Sequence, residues 1–209
     1  MKSMRDGFLI AIEGADGSGK SSLAHLLYKK LSTMYSSVIL TKEPGGTPLG
    51  EQIRAIVNGT ESILCTKAEF LLFAANRAEH FEKLIIPALK NNALVISDRL
   101  ADSSLVFQGY AKGLDIKTIQ SINQWAMNGY TPHLTLYVKV DVQTAMTRIK
   151  NRNLPLSTFE QKKDFIAKTI DGFNDLYKDR TDVITLDGLL DLNTLETLAE
   201  QHILKRLHS

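Results

Sequence analysis

The chain has a single cysteine, Cys65, in 209 residues, so no internal disulfide can form and a disulfide-stapled secreted scaffold is excluded. Cys65 itself reads as a small buried residue rather than a nucleophile. No run approaches the roughly 18 apolar residues of a membrane-spanning helix, and the opening MKSMRDG carries no apolar signal core. No membrane partner is expected, and the cytoplasm is the expected location. Charge of one sign is also scarce. Lys and Arg number 25 against 23 Asp and Glu, and a net charge of +2 does not argue for nucleic acid as a partner. Internal repeats, low-complexity stretches and linkers are missing too. The length suits one well-buried domain and is short for two, so residues 1–209 read as one unit.

What is present is organised around GADGSGKS, Gly14 to Ser21, which follows the apolar run Phe8 to Ile12. It fits G-x-x-x-x-G-K-[ST] between a β-type run and a helical pattern, the context in which that motif cradles phosphates. Gly14, Gly17 and Gly19 permit backbone conformations that turn successive N–H groups inward, past Ala15, Asp16 and Ser18. The helix that follows, through Ser22, presents its N-terminus to the same anion. Lys20 adds a full charge for the outer phosphates, and Ser21 offers a hydroxyl to Mg²⁺. The alternative is a glycine-rich β-to-α turn without a ligand. The strand–loop–helix context favours a nucleoside triphosphate, with ATP and Mg²⁺ as the expected pair.

Along the chain, short β-rich runs alternate with amphipathic helices, a pattern of parallel strands joined by crossovers. Strands are expected at Phe8–Glu13, Val38–Thr41, Ala93–Ser97, Leu134–Val140 and Val183–Leu186. Helices are expected from Lys20 to Met34 and from Leu49 to Val57. A long helix opens on a Thr66–Glu69 capping box and runs through Leu84 or beyond, with Pro87 kinking or restarting it. Asp115 to Asn128, Asp141 to Asn151, Phe159 to Tyr177 and Leu192 to Leu207 complete the helices. Asp102 to Gly113 reads as loop with two helical turns, and Arg152 to Thr158 as loop. The fold class is therefore α/β, a five-stranded parallel P-loop sheet with helices on both faces. Ligands in such sheets gather at the carboxyl ends of the strands, where Gly14 to Ser21, Lys42 to Gly50 and Asp98-Arg99 all fall.

Asp98 supplies an acidic residue beside the expected metal, and Arg99 suits a second phosphate group. A plain strand-end residue is the bland alternative for Asp98. No N-K-x-D guanine-reading motif and no ABC-type signature occur, which counts against those P-loop classes.

Four segments in this order resemble the thymidylate kinase family: IEGADGSGKSS, TKEPGGTPLGEQIR, LLFAANRAEH and SDRLADSSLVFQGYAKGL. They cover about the first 115 residues, and TPHLTLYVKV continues the likeness more loosely. The second and fourth segments are the restrictive ones. The resemblance implies ATP- and Mg²⁺-dependent phosphorylation of dTMP to dTDP, as a step of dTTP biosynthesis, by a homodimer.

Phe73 and Arg77 share a helix face at i, i+4 and can together stack on a base and donate to its carbonyl edge. Thymine presents O4 where cytosine presents an amine, a mismatch that costs about 1–3 kcal/mol. Read without the resemblance, a core Phe73 and a solvated Arg77 stand as the alternative. With it, Phe73 becomes the stacking residue and Arg77 the base reader. The resemblance also implies Arg99 as the clamp on the monophosphate with Arg54 beside it, because a guanidinium fork binds phosphate oxygens in pairs. Asp16 resembles the carboxylate at the sugar 3′-hydroxyl. Ser103, Ser104 and Gln108 resemble the polar groups along the base edge, and Glu43 and Pro44 the pocket wall.

Several positions depart from the family pattern. Lys42 stands where arginine is frequent, and Leu100 where a tyrosine near the sugar is frequent. His133 and Lys139 replace frequent acidic residues away from substrate. The phosphate loop carries Gly17 and no arginine, so a lid at about residues 148–160 must supply the cation for the transferring phosphoryl group. Within RIKNRNLPLSTFE, Arg152 is favoured over Arg148 and Lys150, and a frequent D-R pair appears as Ser157-Thr158. Two rivals remain: a P-loop kinase acting on another nucleotide, and a nucleotide-binding scaffold without turnover.

Overall fold

Five short apolar runs form five parallel strands: β1 (Phe8–Glu13), β2 (Val38–Lys42), β3 (Leu94–Asp98), β4 (Leu134–Lys139) and β5 (Val183–Asp187). They lie in the order β2-β3-β1-β4-β5. The structure, a computed structural model, describes residues 6–59, 64–151 and 163–208. Register sets the site. Ile12 pairs with Asp98 and Asp98 with Lys42, so the ends of β1, β3 and β2 lie in one row. The strand order reverses between β1 and β3, which opens a crevice at that end of the sheet.

Side-chain alternation divides the strands between two cores. Ile10 and Ile12 of β1, with Leu94 and Ile96 of β3, face α1 (Lys20–Met34) and pack on Leu23, Leu27 and Leu31. Leu9 and Ala11 face the other way, against Phe81, Ile85 and Val95. Each of these fully buried leucines and isoleucines contributes about 1.5–3 kcal/mol.

The connections are helical. α2 (Pro48–Asn58) starts with Thr47 as its cap, whose hydroxyl accepts from Gly50 N. α3 (Thr66–His80) continues through a π-helical stretch, Phe81–Ile85, into α4 (Ile86–Lys90). Pro87 lacks an N–H and falls in the first turn of α4, just after that widened stretch. The long helix is re-registered there rather than broken.

Three expectations are corrected. Cys65 is exposed, not buried. Thr66 does not form a capping box: Cys65 is the cap position, no side chain caps the helix, and the Glu69 carboxylate turns to Gln108 and Lys112 instead. Residues 101–111 are helical throughout, as α5 (Ala101–Ser104) and a second π-helical stretch, Leu105–Ala111. The remaining helices are α6 (Ile116–Ala126), α7 (Val142–Asn151), α8 (Lys163–Tyr177) and α9 (Leu192–Leu207). Asp115 and Asp141 accept the free N–H groups of Thr118 and Thr144 at the starts of α6 and α7. The loop expected at Arg152–Thr158, and the start of the helix expected at Phe159, lie outside the described residues.

Candidate active site

The phosphate loop joins β1 to α1, and its glycines have the backbone geometry expected of them. Gly14, Gly17 and Gly19 all have positive φ. At Gly17 (φ 78°) a Cβ would also come within 2.4 Å of the Ala145 carbonyl oxygen on α7. The packing of α7 thus explains why no arginine stands at this position. Lys20 is buried, with Nζ 3.4 Å from Ala15 O and 3.7 Å from Asp16 Oδ1. Burial, then the nearby Arg99 charge, lowers its pKa.

Ser21 Oγ donates to Asp98 Oδ2 across 77 positions of sequence. Asp98 Oδ1 is buried and has no hydrogen-bond partner. A hydroxyl and an orphaned carboxylate oxygen at the mouth of a phosphate loop fit a hard divalent cation completed by water and phosphate oxygens. Among the described residues no group of three or more His, Cys, Asp or Glu could hold a metal ion.

Arg99 follows Asp98 with φ 73°, a left-handed conformation unusual for a side-chain-bearing residue. Its N–H bonds Ile12 O at 3.0 Å. The guanidinium donates to Gly14 O at 3.0 Å, Ser103 Oγ at 2.9 Å and Asp16 Oδ1 at 2.6 Å, and lies 4.8 Å from the Phe107 ring centroid. Ser103 in turn donates to Glu13 Oε2 at 2.6 Å, while Glu13 Oε1 accepts from Leu100 N at 2.8 Å. Glu13 and Phe107 lie within the quoted segments but carry no assigned role there; the sequence signal for Glu13 is an acidic residue ending an apolar strand. Burial, then the Asp102 charge, pushes the Glu13 carboxyl up to about 7.

Glu43 and Pro44 follow β2, joined by a cis peptide bond. Glu43 is buried and meets the fully buried Arg77: Nε and Nη2 lie 2.9 and 2.7 Å from its Oε2. Burial alone would raise the Glu43 carboxyl, yet Arg77, with His80, holds it below the usual range. Arg77 also donates to Asn123 Oδ1 at 2.6 Å, Ser104 Oγ at 3.2 Å and Leu100 O at 3.2 Å. The solvated alternative for Arg77 is therefore wrong. Asn123, His80 and Asn76 belong to this cluster; Asn76 and His80 lie within LLFAANRAEH, whereas Asn123 lies outside the quoted segments. His80 reaches Thr41 and Glu43, and Asn76 Oδ1 accepts from Gly45 N.

Phe73 is half-buried and joins none of the apolar clusters, so it is not a core residue. Arg54 donates to Pro44 O at 2.9 Å. Gln108 is buried, with Nε2 on Glu69 at 2.6 Å. The Leu100 side chain is in the core while its backbone meets Glu13 and Arg77, and His133 stacks on Phe8 at the opposite end of the sheet. Arg148 Nη1 donates to Ser18 O at 3.2 Å, which sets this arginine on the phosphate loop. Arg152, and the lid beyond it to residue 160, lie outside the described residues.

The phosphate loop, the Ser21–Asp98 pair and the Arg99 guanidinium thus meet at one end of the sheet. Comparison with known proteins gives the same direction. The thymidylate kinase family model matches residues 12–198. A thymidylate kinase from Halothermothrix orenii is 44% identical over 144 residues, 69% of this chain and 70% of that one. One from Kosmotoga olearia is 38% identical over 188 residues, 89% and 90% of the two chains. The crystal structure of thymidylate kinase from Ehrlichia chaffeensis superposes with a TM-score of 0.77 at 30% identity, covering 95% of this chain and 99% of that one. The chain belongs to the thymidylate kinase family.

Proposed function

We propose that the protein phosphorylates dTMP to dTDP with ATP and Mg²⁺, within a single kinase domain whose lid lies at about residues 148–160. One observation carries this reading: the Arg99 guanidinium is bonded at once to the phosphate loop, at Gly14 and Asp16, and to Ser103 of the helix beside the acceptor slot. A cation so placed can hold a monophosphate against the donor's γ-phosphate.

An oxygen of the dTMP 5′-phosphate attacks the γ-phosphorus, the bond to the β–γ bridging oxygen breaks, and ADP leaves. The acceptor is already an anion, so no general base is required and catalysis is positioning plus charge neutralisation. Lys20 and the loop amides bind the donor phosphates. Arg99, with Arg54, holds the acceptor phosphate. Ser21 and Asp98 would hold Mg²⁺, which supplies neutralising charge at the donor phosphates. Asp16 faces the sugar hydroxyl, while Phe73 stacks on the base beside Arg77, Ser104 and Gln108. A lid arginine, Arg148 or Arg152, offsets charge on the phosphoryl group in flight, and lid closure excludes water as a competing acceptor.

Homodimerisation is part of the proposal. Trp125 on α6, Leu71 on α3 and Ile56 on α2 are 78%, 55% and 50% exposed, on helices that pack on one another. Such unpartnered apolar side chains suit a second copy of the chain. A cytoplasmic setting is also part of the proposal; among the described residues no helix is long and apolar enough to cross a membrane.

The test is ADP release with ATP, Mg²⁺ and a panel of nucleoside monophosphates. Release that depends on dTMP and is far weaker with the other acceptors supports the reading. Release independent of acceptor, or greater with another base, overturns it.

A further inference from the structure

α3 and the helical segment 101–111 run antiparallel to each other, joined by side-chain hydrogen bonds at two levels. On α3, Glu69, Phe73 and Arg77 recur at i, i+4 and i+8 and so share one face. On the facing segment, Ser104 and Gln108 are again four apart. Arg77 meets Ser104 at 3.2 Å at one end, and Glu69 meets Gln108 at 2.6 Å at the other. Phe73 lies midway between them on α3, half-buried.

The Glu69–Gln108 contact decides which way the Gln108 amide points. A carboxylate only accepts hydrogen bonds, so the amide nitrogen must turn to Glu69 and the carbonyl oxygen away from it. Lys112 clamps the same carboxylate, with Nζ 2.7 Å from Glu69 Oε1 and 2.5 Å from Oε2, which suits an ionised, acceptor-only Glu69. Gln108 Oε1 takes no hydrogen bond from the described residues. With Nε2 committed to Glu69, Oε1 is the group of this buried side chain left to meet a ligand.

We propose that Glu69 is a positioning residue for base selection: it locks Gln108 with its carbonyl outward, as an acceptor for a ring N–H. This inference rests on the proposed dTMP reading of the slot. Thymine and uracil both carry a proton on N3 and satisfy that acceptor. Cytosine has a bare N3 lone pair, which would face a second lone pair. Glu69 therefore acts on the class of base, those with N3–H, and not on the thymine methyl group.

The experiment compares kcat/KM for dTMP, dUMP and dCMP in wild type, Glu69→Gln, Gln108→Leu and the double variant. Glu69→Gln keeps shape but can donate as well as accept, so Gln108 is free to flip. The expected result is a fall of about tenfold for dTMP and dUMP together. The dCMP value should hold or rise, with KM for ATP and Tm unchanged. In the Gln108→Leu background, Glu69→Gln should have no further effect. Equal losses for all three acceptors, or full additivity in the double variant, would overturn the role of Glu69. A wild type that does not prefer dTMP overturns the underlying functional reading instead, so the two failures separate. Should Glu69→Gln melt early, calorimetric binding of dTMP and dCMP to the folded fraction gives the same ratio, and an unchanged ratio there also overturns the proposal.

Discussion

Arg99 Nη2 lies 2.6 Å from Asp16 Oδ1, although 83 positions separate the two residues. The pair ties the strand-end clamp to the phosphate loop, and it uses the guanidinium as a fork. One arm serves Asp16, and the other serves Gly14 O and Ser103 Oγ. A lysine ammonium at position 99 keeps the charge but cannot span those acceptors. Arg99→Lys is expected to lower kcat/KM for dTMP by about tenfold or more, with the KM for ATP little changed. Steady-state kinetics with each substrate varied in turn checks this. An unimpaired Arg99→Lys variant would show that charge alone suffices.

Lys20 is expected to be less replaceable. Its ammonium is buried in the loop, and no other described cation occupies that position at the donor phosphates. Lys20→Ala should lower kcat by roughly a thousandfold or more, in line with other charge-neutralising groups in phosphoryl transfer. A variant retaining a tenth of wild-type turnover would remove Lys20 from the mechanism.

The two residues read as base contacts call for different experiments. Arg77→Leu strands the Glu43 carboxylate in the interior without its partner, a change that costs about 3–5 kcal/mol of stability. Loss of activity in that variant would report unfolding as much as recognition, and its melting curve should show it. Phe73 is half-buried and outside the apolar clusters. Phe73→Ala is therefore the clean probe. It should weaken dTMP kcat/KM by a stacking contribution of about 1–3 kcal/mol and leave Tm nearly constant.

These contrasts mark where the sequence is readable. A phosphate loop is readable because its glycines answer to local backbone geometry, and Asp98-Arg99 because a strand end has one direction. The strand positions follow from apolar patterning, and all five are present. Arg77's partners are not readable, since Glu43 and Asn123 lie 34 and 46 positions away in sequence. Glu69 misleads because T-x-x-E is also a capping signature, whereas its carboxylate bridges to another helix. Residues 102–113 look irregular because a π-helical stretch departs from the 3.6-residue apolar period. Glu13 hides as the last residue of a strand.

Glu13 gives a pH prediction. Its carboxyl is pushed up to about 7 on folding, from 4.5, by burial and then by Asp102. Between those values the native state holds a proton that the unfolded chain has lost. The associated stability is thus fully present below 4.5 and lost as pH rises through about 7. Glu13→Gln has no such proton. The difference in Tm, variant minus wild type, is expected to become more positive by several degrees between about pH 5 and pH 8. A difference that does not change with pH would place the Glu13 pKa outside that window.

The lid cation is the position where structure shifts the expectation. The sequence favours Arg152, which lies outside the described residues. Arg148 is described, and its guanidinium rests 3.2 Å from the Ser18 carbonyl on the phosphate loop. Its Nη1 would also be the nearest neighbour, at 3.8 Å, of a Cβ built on Gly19. Gly17 cannot carry the arginine itself, because α7 closes over it at Ala145. The same helix that denies the loop an arginine thus brings Arg148 to it from one turn further on. Phosphoryl transfer spreads negative charge over the equatorial oxygens, and a guanidinium held at the loop offsets it without reorganisation. Arg148→Ala is therefore expected to lower kcat strongly, with calorimetric dTMP affinity nearly unchanged, and to do more damage than Arg152→Ala. The reverse order would return the role to Arg152, and normal turnover of the double variant would exclude both.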